Sequence, residues 1–365
     1  MLIFEASRTT KRQTKMTGLK AYQTKPKKVR IRRSTGRVTL ADVALVAHVS
    51  QQTISRVLNT PGTVALETRN KVLAAVKMLG YLPLKSNALQ PKKRVAVLIP
   101  ALSGTIFDVL IQSLNTTLGL HNFQMVLNES GYANKDEDLL LEELLQSQPD
   151  GIVLARLLKS ESALEKLHQS GLPVVEVWGT TPTPIDMLFG FSHEAIGEAV
   201  AHYFKALGRN TPALLSGDDP RTMQRAQGFL GALKNLNLLL AGAEGSPVVW
   251  VSSPTSLGDG RAGLAQLLKQ IPTLDCVFCS TDMVAMGVLI EAKSRGLKVP
   301  EDIAVFGFGD LPFSADTDPP LSTVRVDGAA IGQRAAQALI DRIEGRTVAR
   351  PVLDMGFNLI RRLSA

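Results

Sequence analysis

Residues 38–59, VTLADVALVAHVSQQTISRVLN, carry the clearest structural signal in the chain. Apolar residues recur there at helical spacing and predict two short helices. Thr39 with Asp42 forms a capping-box start, and Ser50 is a second N-cap candidate, so only His48 and Val49 remain for the turn between the helices. The apolar positions are Val38, Val43, Ala44, Ala47, Val49, Ile54, Val57 and Leu58.

A helix pair with so tight a turn has the geometry of a helix-turn-helix, whose second helix lies in the major groove of DNA. The exposed face of that helix would carry Gln51, Gln52, Ser55 and Arg56. Side-chain amides pair bidentately with base edges, and Arg contacts guanine or phosphate. The alternative is an ordinary αα-hairpin whose polar surface residues have no such role.

The composition excludes several classes of protein. With 365 residues, 45% of them hydrophobic, the chain is long enough for about two or three domains. It has no apolar run long enough to span a membrane and no secretory signal, so we expect a cytoplasmic protein. Cys276 and Cys279 form a CxxC, but no second Cys pair or His cluster accompanies them, which favours buried core thiols over redox or metal chemistry.

The positive charge is concentrated at the N-terminus. The net charge is +8, and residues 1–37 hold twelve Lys and Arg residues against Glu5 alone. A basic arm beside a DNA-reading helix pair would add phosphate attraction that weakens with salt. Two alternatives stay open: a disordered tail without a role, and a start codon assigned too early, with Met16 as the true start.

Beyond the helix pair the pattern predicts a third helix and then a different architecture. Leu66–Leu79 has helical spacing and ends at Gly80, and a linker follows over Pro83–Lys93. From Arg94 onward, strand-like runs alternate with helical stretches, which predicts an α/β fold with parallel sheets covered on both faces. So many strands favour two similar lobes with a ligand cleft at the carboxyl ends of the strands.

The individual elements can be assigned from the same pattern. The predicted strands are Val95–Ile99, Phe123–Leu127, Gly151–Leu154, Val174–Trp178, Pro212–Leu215, Val248–Val251, Cys276–Cys279 and Ile303–Phe306. The predicted helices between them are Lys135–Gln146, Glu194–Leu207, Gln224–Leu236, Arg261–Gln270 and Val284–Arg295.

In this order, the features resemble the LacI/GalR family of bacterial transcriptional regulators, from about Val38 to Phe357. Within that family, IDMLFGF, VLDMGFNL and the Glu of PVVEVW look most like regulators of gluconate or related sugar-acid genes. The collinear landmarks are VTLADVA, VSQQTISRVLN, ETRNKVLAAVKMLGYLP, VAVLIPALS, QPDGIVL, GLPVVE, RAQGF, STDMVAMG, GLKVPEDIAVFGFGD and PPLSTVRVD.

The resemblance implies a three-helix helix-turn-helix headpiece followed by a two-lobe, periplasmic-binding-protein-like core. The implied segments are a tail over 1–37, the headpiece over 38–83, a hinge over 84–93 and an effector-binding and dimerisation core over 94–365. Within the core, the expected N-lobe covers about 94–190 and 324–346, and the C-lobe about 191–323 and 347–365.

For DNA, the resemblance implies a homodimer, or a dimer of dimers, on a near-palindromic operator. Gln51 and Gln52 are expected on bases, and Thr53, Ser55 and Arg56 on phosphate or flanking bases, with Ser50 capping their helix. Thr39 and Asn59 are expected to fix the headpiece on the backbone. The hinge is expected to become helical only on DNA, with Leu89 as the wedge into the minor groove. Because no heptad-repeat helix follows Phe357, a dimer is favoured.

For a small-molecule effector, the resemblance places Arg225 on a hydroxyl or carboxylate of the ligand. Loss of the usual carboxylates with retention of Arg favours an anionic effector, a sugar acid, over a neutral sugar or a purine. Glu176 is expected to point the same way as Trp178 by strand alternation. The other expected ligand contacts are Ser103, Trp178, Thr281, Asp282 (alternatively a helix N-cap) and Asp310, with Arg156 and Arg221 as secondary anion sites.

The sequence predicts no cofactor, no metal and no enzymatic activity. Residues 258–263 spell GxGxxG, but they do not follow a strand directly, so a dinucleotide loop is disfavoured. The rival classes are a secreted sugar-binding protein, which would not need Gln51, Gln52 and Arg56, and an NAD-dependent dehydrogenase, which would need a well-placed glycine fingerprint. Repression relieved by the effector is the default, and corepression by a purine or neutral sugar is the alternative.

Overall fold

The computed structural model describes residues 38–81, 92–102, 105–132, 137–155, 158, 160–238 and 247–365. The chain divides into two compact units, residues 1–90 and residues 91–365. Three predicted positions, Leu89, Ser103 and Arg156, lie outside the described residues, as do the N-terminal tail and most of the hinge. In the described part of the chain, no helix is both long and apolar enough to cross a bilayer.

The first unit contains three helices around a small apolar core. They are α1 (Leu40–Ala47), α2 (Gln51–Asn59) and α3 (Leu66–Leu79). Val43, Ile54 and Val72 are fully buried at the centre, one from each helix. The turn between α1 and α2 is made by His48, which adopts a left-handed φ of 52°, and by Val49. The predicted helix-turn-helix is therefore confirmed.

The second unit alternates strands with helices. The strands are β1 (Arg94–Ile99), β2 (Gln124–Glu129), β3 (Gly151–Leu154), β4 (Val174–Val177), β5 (Met187–Gly190), β6 (Pro212–Gly217), β7 (Val248–Val251), β8 (Cys276–Cys279), β9 (Ala304–Phe308), β10 (Ser322–Arg325), β11 (Val352–Asp354) and β12 (Asn358–Ile360). The helices are α4 (Asp108–Leu120), α5 (Glu137–Gln146), α6 (Glu161–Ser170), α7 (His193–Ala206), α8 (Pro220–Asn235), α9 (Leu257–Gln270), α10 (Asp282–Ser294) and α11 (Gly328–Ile343).

The strands form two separate sheets, and each sheet defines a lobe. The first sheet has the order β11-β5-β4-β3-β1-β2 and is parallel throughout. The second has the order β12-β10-β9-β8-β6-β7 and is parallel except for β12, which runs antiparallel to β10. These mostly parallel sheets confirm the predicted α/β class.

Both faces of the first sheet are buried, as a parallel sheet requires. Val95 and Val97 of β1 join one apolar cluster, while Ala96 and Leu98 join another on the opposite face. The second sheet divides in the same way, with Cys276 on one side and Cys279 on the other. The two thiols are free and buried, as predicted, and burial raises the pKa of each.

The expected division of the last residues between the lobes is wrong in one place. Residues 347–365 were expected in the C-lobe, but β11 pairs with β5 and so belongs to the first sheet. Only β12 completes the second sheet. The chain therefore crosses between the lobes three times, after β5, β10 and β11. The misassigned strand has three residues, too few for its sequence pattern to identify a partner.

Glycines allow two helix pairs to approach each other closely. A Cβ on Gly197 of α7 would lie 2.1 Å from the carbonyl oxygen of Arg225 on α8. A Cβ on Gly260 of α9 would lie 2.1 Å from the carbonyl oxygen of Val284 on α10. Gly260 is the central glycine of the GxGxxG sequence, and that sequence lies inside α9. Gly260 serves helix packing and Gly263 packs against the Leu215 side chain of β6, which agrees with the prediction against a dinucleotide loop.

Candidate functional site

The surface of α2 opposite the headpiece core presents the residues expected to contact DNA. Ile54 and Val57 are buried, whereas Gln51, Gln52 and Arg56 are exposed. The alternation follows from helical periodicity, because residues three apart share a face. An exposed row of two amides and one guanidinium offers donors and acceptors for base edges and phosphates.

Local hydrogen bonds fix the ends of both headpiece helices. Ser50 Oγ accepts from the amide of Thr53 at 3.1 Å and lies 2.9 Å from the Thr53 hydroxyl. Thr39 and Asp42 form a reciprocal capping box, whose hydrogen bonds lower the pKa of Asp42. Both predicted caps are confirmed.

The remaining headpiece positions are also placed. Asn59 is the exposed last residue of α2, and its Nδ2 donates to Ser55 Oγ at 3.2 Å. Thr53 and Ser55 are half-buried on the same helix, and Thr39 precedes α1. Seven of the predicted DNA contacts therefore lie on α2 or at its start, and an eighth lies at the start of α1.

Within the second unit, a cavity of about 410 Å³ lies where the carboxyl ends of strands from both sheets meet. Hydroxyl and apolar groups dominate it, and its described lining contains no carboxylate. The lining residues are Ile106, Tyr132, Pro254, Thr255, Ser256, Leu257, Thr281, Met283, Phe308 and Leu311. This is the edge at which ligands bind in open α/β sheets.

Arg225 on α8 lies behind one wall of this cavity. Its guanidinium is 4.1 Å from the centre of the Phe308 ring, and the residue is only 3% exposed. Nη1 contacts Nδ1 of His193 at 2.8 Å, and Nη2 donates to the Ser280 carbonyl at 3.0 Å. Burial lowers the pKa of Arg225 to about 10. Nε is buried and has no hydrogen-bond partner in the described part of the chain.

Arg221, one helical turn earlier, links the two lobes. Its Nη2 donates to the carbonyl of Ala155, which follows β3 of the first sheet. The guanidinium also lies 5.9 Å from the ring of Phe107 in the same lobe. Asp219 caps α8 by accepting from the amides of Arg221 and Thr222, and its carboxylate also accepts from Ser253 Oγ. That carboxylate is therefore already engaged by groups of its own lobe.

Three of the predicted ligand contacts are carboxylates that already bind groups of the protein itself. Asp282 is fully buried and accepts from the Leu311 amide at 2.8 Å, Ser314 Oγ at 2.6 Å and Thr323 Oγ1 at 2.5 Å. It is not the N-cap either, since Thr281 caps α10. Burial raises the pKa of Asp282 despite these three donors.

Asp310 and Glu176 are the other two. Asp310 forms ion pairs with Arg325 at 2.5 Å and Arg362 at 2.7 Å. Glu176 accepts from the amide of Ile185 at 2.8 Å, and burial raises its pKa. Neither residue lines the cavity.

Glu176 and Trp178 do not point the same way, contrary to the prediction. Trp178 follows the end of β4 and has a left-handed φ of 67°, which breaks the strand alternation. Its ring joins the cluster of Val175 and Val177 and packs 5.1 Å from Phe107 and 5.5 Å from Phe191. Trp178 is thus 4% exposed core rather than an open stacking surface.

Thr281 is the predicted ligand contact that lines the cavity directly. Its hydroxyl accepts from the Val284 amide at 3.2 Å and lies 3.4 Å from Thr255 Oγ1. Tyr132, which was not among the predicted contacts, also lines the cavity. Burial raises the pKa of Tyr132, and the charges of Asp219, Arg221 and Arg225 also act on it. A phenol and two threonines thus line the same cavity as Phe308.

His193 lies in the core beside Arg225. His202, on the same helix, is exposed. No cluster of His, Cys, Asp and Glu suitable for a metal ion occurs among the described residues. No local sequence pattern predicts the His193–Arg225 contact, because the two residues are 32 positions apart.

Comparison with known proteins matches both units. A model for bacterial regulatory proteins of the lacI family matches residues 39–84, and a periplasmic binding protein-like domain matches residues 201–365. The HTH-type transcriptional regulator GntR of Pseudomonas aeruginosa is 37% identical over 336 residues, covering 91% of this chain and 97% of that protein. The regulator GntR of Escherichia coli K12 is 30% identical over 329 residues, covering 88% and 97%.

Solved structures agree with these matches. The transcription regulator GntR from Chromobacterium violaceum has 33% identity and a TM-score of 0.70, covering 74% of this chain and 99% of that one. A lac repressor dimer bound to operator has 24% identity and a TM-score of 0.70, covering 90% and 99%, and it supports the fold alone.

Proposed function

Because the chain belongs to the lacI family of bacterial regulatory proteins, it is a DNA-binding transcriptional regulator and not an enzyme, and we propose that it represses sugar-acid catabolic genes until a sugar acid binds its core. Its relatives are regulators that share its headpiece, which favours this class over a secreted sugar-binding protein. The GntR relatives fit the sequence landmarks that resemble regulators of gluconate genes.

The single observation that carries the choice of effector is the environment of Arg225. A buried guanidinium with an unpartnered Nε, next to a cavity whose described lining has no carboxylate, favours a ligand with negative charge. Carboxylates pair with guanidinium groups through strong, charge-assisted hydrogen bonds. The hydroxyls of Thr255, Ser256 and Thr281 suit the hydroxyl groups of a sugar acid such as gluconate or a ketogluconate.

On DNA, we assign base contacts to Gln51 and Gln52 and backbone contacts to Thr39, Thr53, Ser55, Arg56 and Asn59. Duplicated headpieces of a homodimer would read a near-palindromic operator in the bacterial nucleoid. The effector would then act by linkage: a ligand that prefers the non-binding state lowers operator affinity by the coupling factor, about 5- to 150-fold.

Calorimetric titration with gluconate, 2-ketogluconate and glucose tests the effector class. Gluconate or the ketogluconate should bind, and glucose, which lacks the carboxylate, should bind at least about tenfold more weakly. A gel-shift with the promoter region of the protein's own gene should show retention that the binding sugar acid abolishes. Tight binding of glucose without a response to either sugar acid would refute the proposal, and retention strengthened by the ligand would show corepression instead.

A further inference from the structure

His193 connects the two lobes through hydrogen bonds that the proposed function does not use. It is the first residue of α7, just after the chain leaves β5 of the first sheet. Its ring is buried, with Nδ1 2.8 Å from Nη1 of Arg225 and Nε2 3.0 Å from the carbonyl oxygen of Trp178. Trp178 belongs to the first lobe, and Arg225 belongs to the second.

The chemistry of these partners defines one tautomer. A guanidinium has donors and no acceptor, so Nδ1 must accept from Arg225. A carbonyl oxygen only accepts, so Nε2 must carry the proton and donate to Trp178. A second proton on Nδ1 would point at a cation. The imidazole therefore has to be neutral for both hydrogen bonds to exist.

The surroundings of His193 favour the neutral ring. Burial is the main cause that holds its pKa well below the usual range, and the positive charges of Arg225 and Arg221 act in the same direction. The rings of Phe191 and Phe308 pack against the imidazole, with centres 4.8 Å and 6.1 Å away. Among the described residues, these arginines from α8 are the charged groups that act on it.

Arg225 extends the connection to the cavity. Its Nη2 donates to the Ser280 carbonyl, and Ser280 directly follows β8 of the second sheet. Hydrogen bonds thus run continuously from the Trp178 carbonyl through His193 and Arg225 to the Ser280 carbonyl. The guanidinium in the middle of this series lies against Phe308, which lines the cavity.

We propose that His193 is a positioning residue that orients the guanidinium of Arg225 and makes this orientation depend on where the first lobe lies. The proposal rests on the proposed function, because Arg225 is the group assigned to the anionic effector. A ligand that draws Arg225 toward the cavity changes the hydrogen bond to His193, and His193 passes the change to the backbone at Trp178. Ligand binding and the arrangement of the lobes are thereby thermodynamically coupled.

Two substitutions separate the two hydrogen bonds. In His193→Asn, the side-chain oxygen takes the place of Nδ1 and still accepts from Arg225, but the side chain is too short to reach Trp178. In His193→Gln, the amide reaches the Trp178 carbonyl but leaves no acceptor at the place of Nδ1. His202→Asn, on the exposed face of the same helix, is the matched control.

Gluconate affinity by calorimetry and gluconate-induced release of promoter DNA are measured for each variant. We expect His193→Asn to keep gluconate affinity within about threefold. At saturating gluconate, its affinity for promoter DNA should fall about tenfold less than that of the wild type, since its link to the first lobe is lost. We expect His193→Gln to bind gluconate about tenfold more weakly, since Arg225 loses its orienting acceptor. The control should match the wild type in both measurements.

Two outcomes overturn the positioning role. Wild-type affinity and wild-type DNA release in both folded variants would show that the hydrogen bonds of His193 contribute neither to gluconate binding nor to the release of DNA. Equal losses in both variants, in proportion to equal falls in melting temperature, would show that His193 only supports the core.

The tautomer provides a test that needs no effector. In protein labelled with ¹⁵N-histidine, we expect His193 to show an unprotonated Nδ1 and a protonated Nε2 from about pH 8 to about pH 6. A protonated Nδ1 in that range would refute the proposal whatever the ligand is. If the wild type binds no sugar acid, the proposed effector class fails, whereas this spectrum still tests the two hydrogen bonds on which the role of His193 depends.

Discussion

Gly228 on α8 lies directly against the backbone of Glu194 on α7: a Cβ at Gly228 would be 2.0 Å from the Glu194 carbonyl oxygen. The approach brings Arg225 within reach of His193. We predict that Gly228→Ala forces the helices apart, lowers the free energy of unfolding by about 1–3 kcal/mol and weakens gluconate binding. Urea denaturation and calorimetry measure the two effects.

Gly231, one turn further along α8, is the matched control for this substitution. Nothing lies within 4 Å of a Cβ built there, so Gly231→Ala should keep the ligand affinity and stabilise the helix by up to about 1 kcal/mol. Equal destabilisation by both substitutions would contradict the role given to the close approach.

Gln52→Ala tests the exposed face of α2. Gln52 is exposed and its removal leaves the headpiece core intact, so the loss should appear in the choice of operator sequence. We expect discrimination between operator and unrelated DNA to fall by about 1–3 kcal/mol, measured by fluorescence anisotropy. Gluconate affinity should be unchanged. Unaltered discrimination would remove Gln52 from the reading face.

Arg225→Lys should weaken gluconate binding and spare DNA binding, the reverse of the effect expected for Gln52→Ala. Lysine keeps the positive charge, but its single ammonium nitrogen cannot occupy the separate positions from which Nη1 and Nη2 contact His193 and Ser280. We expect gluconate affinity to fall at least about tenfold, while affinity for promoter DNA without ligand stays near the wild-type value. Calorimetry and anisotropy measure these quantities. Gluconate affinity equal to wild type would exclude Arg225 from the binding site.

The buried imidazole makes stability depend on pH in a defined direction. The pKa of His193 is lower in the folded than in the unfolded protein. Below about pH 6.5, its imidazole therefore binds a proton in the unfolded chain but stays neutral in the folded one. The stability is therefore complete above this pH and falls as the pH decreases, by on the order of 1 kcal/mol for each pH unit.

Urea denaturation at about pH 7.5 and about pH 5.5 measures this effect. The difference between the two pH values should shrink in His193→Asn and persist in His202→Asn, whose histidine is exposed in the wild type. A difference that is unchanged in His193→Asn would assign the pH dependence to other groups.

Asp282→Asn should cost stability and leave ligand recognition alone. Asparagine has one acceptor oxygen, so its amide nitrogen, which only donates, would replace either the oxygen that accepts from Leu311 and Ser314 or the one that accepts from Thr323. We therefore expect a loss of about 1–3 kcal/mol. Asp316→Asn, the same change at an exposed position, should be neutral within about 0.5 kcal/mol. A stable Asp282→Asn variant that binds gluconate poorly would restore Asp282 to the ligand site.

Local signals explain which parts of the fold could be predicted. The capping box at Thr39, the cap at Ser50 and the left-handed Gly80 with φ 62° lie within a few residues of the helix ends they determine. Runs of apolar residues predicted the bounds of β3, β7 and β8 without error. The start of α8 was missed by four residues, although Asp219 followed by Pro220 is a helix-start signal.

Long-range contacts explain most of what could not be predicted about the site. The donors to Asp282 come from positions 29 to 41 residues away. Its burial therefore could not be predicted from the neighbouring sequence, which indicates only the start of a helix. Trp178 does not lie on the same face as Glu176, because its own φ is left-handed. Arg225 was identified through the family resemblance, whereas its partner His193 depends on how α7 packs on α8.

The assignment of β11 and β12 to different sheets has a consequence for dissecting the protein. Each lobe is assembled from separate parts of the sequence, so no single cut releases either one as a continuous fragment. A protease that nicks one crossing would leave two covalent connections intact. Independent expression of a lobe would require rejoining its segments through designed loops.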